Sequence, residues 1–255
     1  MRLSFDKPLL MSIVNVTPDS FYERGEKFPE GADIIDIGAE STFGPDSQVG
    51  AEEEWGRLKP ILNSFFHSDR SGGIPFISID TWKSTVAERA LQMGAHMIND
   101  VTALRGDPNM IEVLLKYQPY ICLLYSAYET PYAGRENKHY DDVMATIKEF
   151  LRKQTDLLIS RGFPREKIII DPGLGFFLST DPKYSWEVIE RLSELKTLGF
   201  PILIGPSMKS FLGGEIKDRL PKTLEASKQC LRNGANILRV HHVKEHRSLY
   251  NQADS

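Results

Sequence analysis

Asn15, Asp80, Asn99, Asp171, Lys209, Arg239 and His241 each close or line a short apolar run, and together they span almost the whole chain. The runs read LLMSIVN, ADIIDIG, PFISID, HMIND, YICLLY, KIIID, PILIG and NILRVH. A buried strand gains nothing from an ionisable or amide group at its end unless that end opens onto a site. Carboxylates and amides can orient a polar ligand through hydrogen bonds, and a lysine, an arginine and a histidine can meet an anion. Parallel strands in a closed barrel deliver their C-terminal ends to one face, which is where such barrels do their chemistry. The pattern therefore predicts an enzyme with one composite active site.

The elements that would position these residues follow from periodicity. The runs are rich in Ile, Val and Leu, as strands buried on both faces should be. Between most of them lie stretches of helical period: EEEWGRLKPILNSFF, KSTVAERALQMG, DVMATIKEFLRKQTDLLISRG, PKYSWEVIERLSELKTLG and TLEASKQCLRNG. Gly94, Gly199 and Gly234 stand just past the last periodic residue, the usual C-cap position. Strand and helix alternate nearly to the end, so the sheet is expected to be parallel with right-handed crossovers. Eight strand candidates select a single (β/α)8 barrel over an open sheet. No linker or composition break divides residues 1–255, which read as one domain. Residues 16–32 and 41–50 are polar and Gly/Pro-bearing; they are expected to form two long, mobile loops after the first and second strands, lids over the barrel mouth.

Composition narrows the partners. A length of 255 residues suits such a barrel, and 41% apolar with 26% charged residues are those of a soluble globular protein. A net charge of −4 argues against a general nucleic-acid binder but leaves an anionic small molecule possible. The opening run reads as a first strand rather than a signal peptide, and no stretch is long enough to span a bilayer, so no membrane role is expected. Of the two cysteines, Cys122 lies inside a strand-like run, where a buried free thiol is expected. A reducing cytoplasm fits these features.

Taken singly the motifs are weak, because an Asp before a helix is more often an N-cap and DPG is a common turn. Asp80 and Asp171 could cap helices, and Asn99 could tie strands together. Taken in order, NVTPDSF, GADIIDIGAEST, SIDT, GAHMIND, DPGLGF, KSFLGG and RVH resemble the dihydropteroate synthase family across nearly the whole chain. The resemblance implies a TIM barrel that joins p-aminobenzoate to 6-hydroxymethyl-7,8-dihydropterin diphosphate, releasing pyrophosphate. It implies pterin contacts from Asp80, Asn99, Asp171 and Lys209, and diphosphate contacts from Asn15, Arg239 and His241. Asn15 would also meet a Mg2+ ion. Asp19 would stabilise a pterin cation, and Phe21, Thr42 and Ser210 would contact p-aminobenzoate. Asp19, Lys209 and Asp171 are the catalytic candidates. A homodimer through C-terminal helices is a further expectation of the resemblance.

The chain departs from the family pattern near the second substrate and the diphosphate. Phe43 stands for an arginine in ESTFGP, Met208 for an arginine in SMKS, and His242 for an acid after RVH. Leu124, Tyr125 and Ser126 replace a Met-His pair, and Phe177-Leu178 replace Gly-Lys. The pterin-edge residues are intact. These losses motivate an alternative: a pterin-binding homologue with weak or altered condensation activity, or one using a different amine acceptor. Methyltetrahydrofolate-dependent methyl transfer and a non-enzymatic barrel are the remaining classes; the lysine of KSF and the NVTPDSF loop disfavour the first.

Overall fold

A computed structural model describes residues 1–16, 30–40, 48–66 and 75–251. The eight apolar runs are all strands: β1 (Leu9–Asn15), β2 (Ile34–Gly38), β3 (Phe76–Asp80), β4 (Met97–Asp100), β5 (Tyr120–Leu124), β6 (Ile168–Asp171), β7 (Leu203–Ile204) and β8 (Ile237–Val240). Every pairing is parallel, in the order β6-β5-β4-β3-β2-β1-β8-β7. A parallel bridge between Ile170 and Ile202 joins the two edges, with Ile170 N–H donating to the Pro201 carbonyl at 3.0 Å. The sheet therefore closes into the expected barrel, and among the described residues neither edge of the eight-stranded sheet stays open.

Seven α-helices occur among the described residues: α1 (Ala51–Phe66), α2 (Ser84–Met93), α3 (Met110–Tyr117), α4 (Val143–Ser160), α5 (Pro182–Glu190), α6 (Leu220–Arg232) and α7 (Val243–Asn251). α3 and α7 were not anticipated from the sequence. The segment expected as one long helix ending at Gly199 is instead α5 followed by 3-10 turns over Leu192–Leu198. Leu192, Leu195 and Leu198 are all buried, and their spacing of three stacks them on one face at three residues per turn. Gly94, Gly199 and Gly234 adopt the left-handed conformation expected of C-caps. Both expected lids fall largely outside the described residues.

Strand alternation makes the barrel interior and the site one continuous construction. Met11, Ile34, Phe76, Met97, Tyr120, Cys122, Ile169, Leu203 and Ile237 pack into an apolar cluster of their own. Successive side chains on a strand point to opposite faces, so each residue two positions on shares that interior face. Those residues include Asp36, Ser78, Asn99, Asp171 and Arg239. An apolar plug thus fills the lower barrel and a polar layer lies above it. Cys122 and Cys230 are both buried free thiols.

Candidate functional site

The strand ends open onto a cavity of about 820 Å³, within the range of small-molecule sites. Asn15, Asp80, Asn99, Asp171, Lys209, Ser210, Arg239 and His241 all line it. Eight candidate residues separated by up to 226 positions are thus brought together. Asp19, Phe21 and Thr42 lie outside the described residues.

Arg239 organises the floor. Its Nε donates to Asp36 Oδ2 at 2.6 Å and its Nη2 to Asp80 Oδ2 at 2.5 Å. Asn99 Nδ2 donates to the same Asp36 oxygen at 3.1 Å. Strands β2, β3, β4 and β8 are therefore cross-linked through four side chains. Burial disfavours the Arg239 charge, but Asp36 and Asp80 more than offset this and hold the guanidinium above its ordinary pKa. Burial raises Asp80 to about 7; Arg239 opposes that rise and the Asp36 charge adds to it. Asp36 is wholly buried, and its Oδ1, like Asn99 Oδ1, has no hydrogen-bond partner among the described residues.

Asp36 is the main functional residue the sequence reading missed. It sits mid-run in IIDIG rather than at a strand end, yet a charge within an otherwise apolar strand was a usable signal. Two residues on, a Cβ at Gly38 would lie 3.2 Å from Asp80 Cβ, so glycine there gives the Asp80 side chain its room.

The opposite wall is built by β6 and the segment after β7. Asp171 ends β6, and its Oδ1 accepts the Gly173 N–H at 2.8 Å. Gly173 has φ +69°, and a Cβ there would stand 2.3 Å from the Tyr125 carbonyl oxygen, so the DPG turn admits only glycine at this point. Neither Asp80 nor Asp171 caps a helix; the residue preceding α2 is Lys83, with no side-chain cap bond. Lys209 Nζ donates to the Leu174 carbonyl at 3.1 Å and lies 4.9 Å above the Phe177 ring. Burial raises Asp171 to about 6, against the pull of the Gly173 amide and Lys209. Burial lowers Lys209 to about 8, against the pull of Asp171. At pH 7 both are mainly charged, and a hydrogen-bonding ligand between them would find a fixed acceptor and a fixed donor.

His241 is a neutral imidazole rather than a cation. Burial, and then the charge of Arg239, lower its pKa to about 4. Ser207 Oγ accepts the His241 backbone N–H at 3.2 Å, and the same oxygen lies 3.0 Å from His241 Nδ1. The Ser207 hydroxyl and Nδ1 share one hydrogen bond, whose donor is set by the ring tautomer.

Asp100, next to Asn99, serves the backbone. Its carboxylate accepts from Thr102 N, Thr102 Oγ1 and Leu104 N at 2.7–2.8 Å, holding Ala103 and Leu104 at positive φ. Glu40 organises the rim. It accepts from Val49 N at 3.0 Å, Trp82 Nε1 at 2.8 Å, Lys83 Nζ at 2.7 Å and Tyr132 OH at 3.1 Å. Lys83 Nζ also donates to the buried Glu54 at 2.5 Å. Glu40 thus ties residue 49 and the connection after β5 to the start of α2. Arg57 and Arg219 also line the cavity. The sequence reading missed both because they reach it from outside the strands.

Among the described residues no group of three His, Cys, Asp or Glu side chains could hold a metal ion. Mg2+ commonly binds through one or two protein oxygens and the phosphates of its substrate, keeping several waters. The Asn15 amide at the cavity edge fits an ion carried in on a diphosphate, not one held in a protein cage.

A barrel whose strand ends carry this acceptor, donor and cation set matches the pterin binding enzyme family over residues 11–241. Dihydropteroate synthase from Neisseria meningitidis serogroup B is 36% identical over 266 residues, covering 95% of this chain and 90% of that protein. The mitochondrial folate synthesis bifunctional protein of pea is 37% identical over 265 residues; the chain spans about half of that relative, 51% of its length. The crystal structure of dihydropteroate synthase from Clostridium difficile in the presence of pteroic acid superposes with a TM-score of 0.85 at 37% identity, covering 100% of this chain and 98% of that one. The chain belongs to the dihydropteroate synthase family.

Proposed function

We propose that this chain condenses p-aminobenzoate with 6-hydroxymethyl-7,8-dihydropterin diphosphate, forming 7,8-dihydropteroate and pyrophosphate. The observation that carries this reading is the convergence of Asp80, Asn99, Asp171, Lys209 and Arg239 on one cavity. The Clostridium difficile relative was crystallised with pteroic acid, whose two halves are a pterin and p-aminobenzoate.

Each part of the site has a task in that reaction. The pterin presents a guanidine-like donor edge, which the ionised Asp171 carboxylate can accept in a bidentate way. Lys209 donates to the ring carbonyl and an adjacent nitrogen. Asn99 and Asp80 complete the ring edge, and Arg239, held by Asp36 and Asp80, keeps that wall in place. A ligand lacking these groups would leave buried polar atoms unpaired, which is the source of selectivity.

The diphosphate lies toward Asn15, Arg239 and the imidazole of His241. Mg2+ bound with it at Asn15 would neutralise charge on the leaving group. The bond from the exocyclic carbon to oxygen breaks, and its electron pair leaves with pyrophosphate. The amine lone pair of p-aminobenzoate then forms the carbon–nitrogen bond and the nitrogen sheds a proton. The protein's part is to orient the reactants and to stabilise charge in a preorganised setting, so no covalent nucleophile is required. Asp19, Phe21, Thr42 and Ser210 are assigned to the cation and the second substrate on the family resemblance. The same resemblance supports a homodimer, which sedimentation equilibrium tests, and the buried free thiols fit a reducing cytoplasm.

Chromatography of a reaction containing both substrates and Mg2+ tests the function. A single product co-eluting with 7,8-dihydropteroate supports it. Consumption of the pterin diphosphate without a coupled amine product favours the altered homologue suggested by Phe43 and Met208.

A further inference from the structure

The turn after β6 holds more than the Asp171 carboxylate. Residues Gly173 to Phe177 form a cradle for Lys209, whose side chain arrives from the segment after β7. Gly175 has φ +66°, a conformation that favours glycine, and a Cβ there would lie 3.5 Å from Lys209 Cδ. The lysine stem therefore runs along bare backbone. At its end, Nζ donates to the Leu174 carbonyl at 3.1 Å and sits 4.9 Å from the centre of the Phe177 ring. An ammonium has three donors, so two remain for a ligand.

The cradle is fixed from three sides. Gly173 N–H donates to Asp171 Oδ1 at 2.8 Å, Gly175 N–H donates to Ser185 Oγ of α5 at 2.9 Å, and the Phe177 carbonyl accepts the Ala127 N–H at 2.9 Å. Phe177 is buried and lines the cavity. The family pattern has glycine where Phe177 stands, so the ring facing Lys209 is a feature of this chain.

The ammonium has few other supports. Burial opposes its charge; Asp171 from β6 favours it, Arg239 from β8 opposes it and Asp80 from β3 favours it. His241, after β8, is neutral. The face of an aromatic ring carries negative charge and attracts a cation within about 6 Å, most strongly where water is excluded. Phe177 supplies that attraction without adding an ionisable group. A leucine in its place would fill space without it.

We infer that Phe177 is a positioning residue for Lys209: its ring holds the ammonium charged and aimed into the cavity. The inference rests on the proposed synthase reading for the task of Lys209 and on the cradle geometry for the role of Phe177.

The test compares the native chain with Phe177→Leu, Phe177→Tyr and Phe177→trifluorophenylalanine. The fluorinated ring keeps the native shape while its face loses negative charge. The Lys209 pKa is read from the 13C shift of its Cε, and affinity for 6-hydroxymethylpterin from calorimetric titration across the same pH range. Phe177→Leu should lower the Lys209 pKa by about one unit from its native value of about 8. The fluorinated ring should lower it in part, and Phe177→Tyr should keep it. The pH above which pterin affinity declines should fall in step, while affinity at about pH 6, where Lys209 stays charged, should change less than about twofold. An unchanged Lys209 pKa with the fluorinated ring, whether or not Phe177→Leu folds, would overturn the inference. So would an equal loss of affinity at every pH, the mark of a ring that only fills space. If the Lys209 pKa moves as expected and pterin affinity ignores it, the assigned task of Lys209 falls and the cradle stands.

Discussion

Asp171→Asn separates a ligand-binding carboxylate from a turn-building one, because the two roles predict opposite changes in stability. Asp171 is only 4% exposed, and burial raises its pKa from 3.8 to about 6 in the folded chain. The folded state therefore holds its proton more tightly than the unfolded state. The stabilising contribution of this group is fully present below pH 3.8 and is lost as pH rises through about 6. A rise of about two units corresponds to about 3 kcal/mol, the cost the free protein carries at pH 8. Asparagine avoids that cost and still offers a carbonyl to the Gly173 N–H. Part of the gain is offset by the lost attraction to Lys209, so the variant should be about 1–3 kcal/mol more stable at pH 8. Below pH 4 the advantage should vanish. Pterin binding should move the other way, weakening by about 1.5–3 kcal/mol, or roughly 10- to 150-fold, as a charge-assisted pair is lost. Urea titrations at pH 4 and pH 8, with calorimetric titration of 6-hydroxymethylpterin, read both effects. A variant that is less stable at pH 8 and binds pterin unchanged would refute the reasoning.

Three further outcomes follow from the same geometry. Lys83→Met leaves Glu54 buried without its partner; it should cost about 3–5 kcal/mol at pH 8 and less at pH 5, because burial already raises the Glu54 pKa, as pH-dependent urea melts would show. Ser207→Ala should remove the partner that holds His241 Nδ1 in one role, so 15N spectra should show a single tautomer in the native chain and a mixture in the variant. Asp36→Asn removes the like charge that helps raise Asp80, so the Asp80 pKa followed by carbonyl 13C shifts should be lower in the variant than in the native chain.

Much of the barrel was legible because strands buried on both faces leave continuous Ile/Val/Leu runs. α3 escaped because eight residues, MIEVLLKY, are too few to separate a helical period from a buried strand. Lys209 was legible because it stands in the KSFLGG motif, and Asp80, Asn99 and Asp171 because each lies at the end of a run. Asp36 escaped by lying two residues inside one, where its partner Arg239 is 203 positions away. Arg57 and Arg219 escaped for a different reason. Long flexible side chains on helices and turns reach the site only through tertiary packing, and local pattern carries no record of where their ends lie. The Glu40–Lys83–Glu54 network is likewise a product of packing, since α1, α2 and the end of β2 meet only in the folded chain.

Release of pyrophosphate by the purified chain, supplied with the pterin diphosphate and Mg2+ with and without p-aminobenzoate, tests the central claim most directly. The account predicts release that requires p-aminobenzoate and falls sharply in Lys209→Ala. Release indifferent to p-aminobenzoate, or unchanged by loss of Lys209, would contradict it.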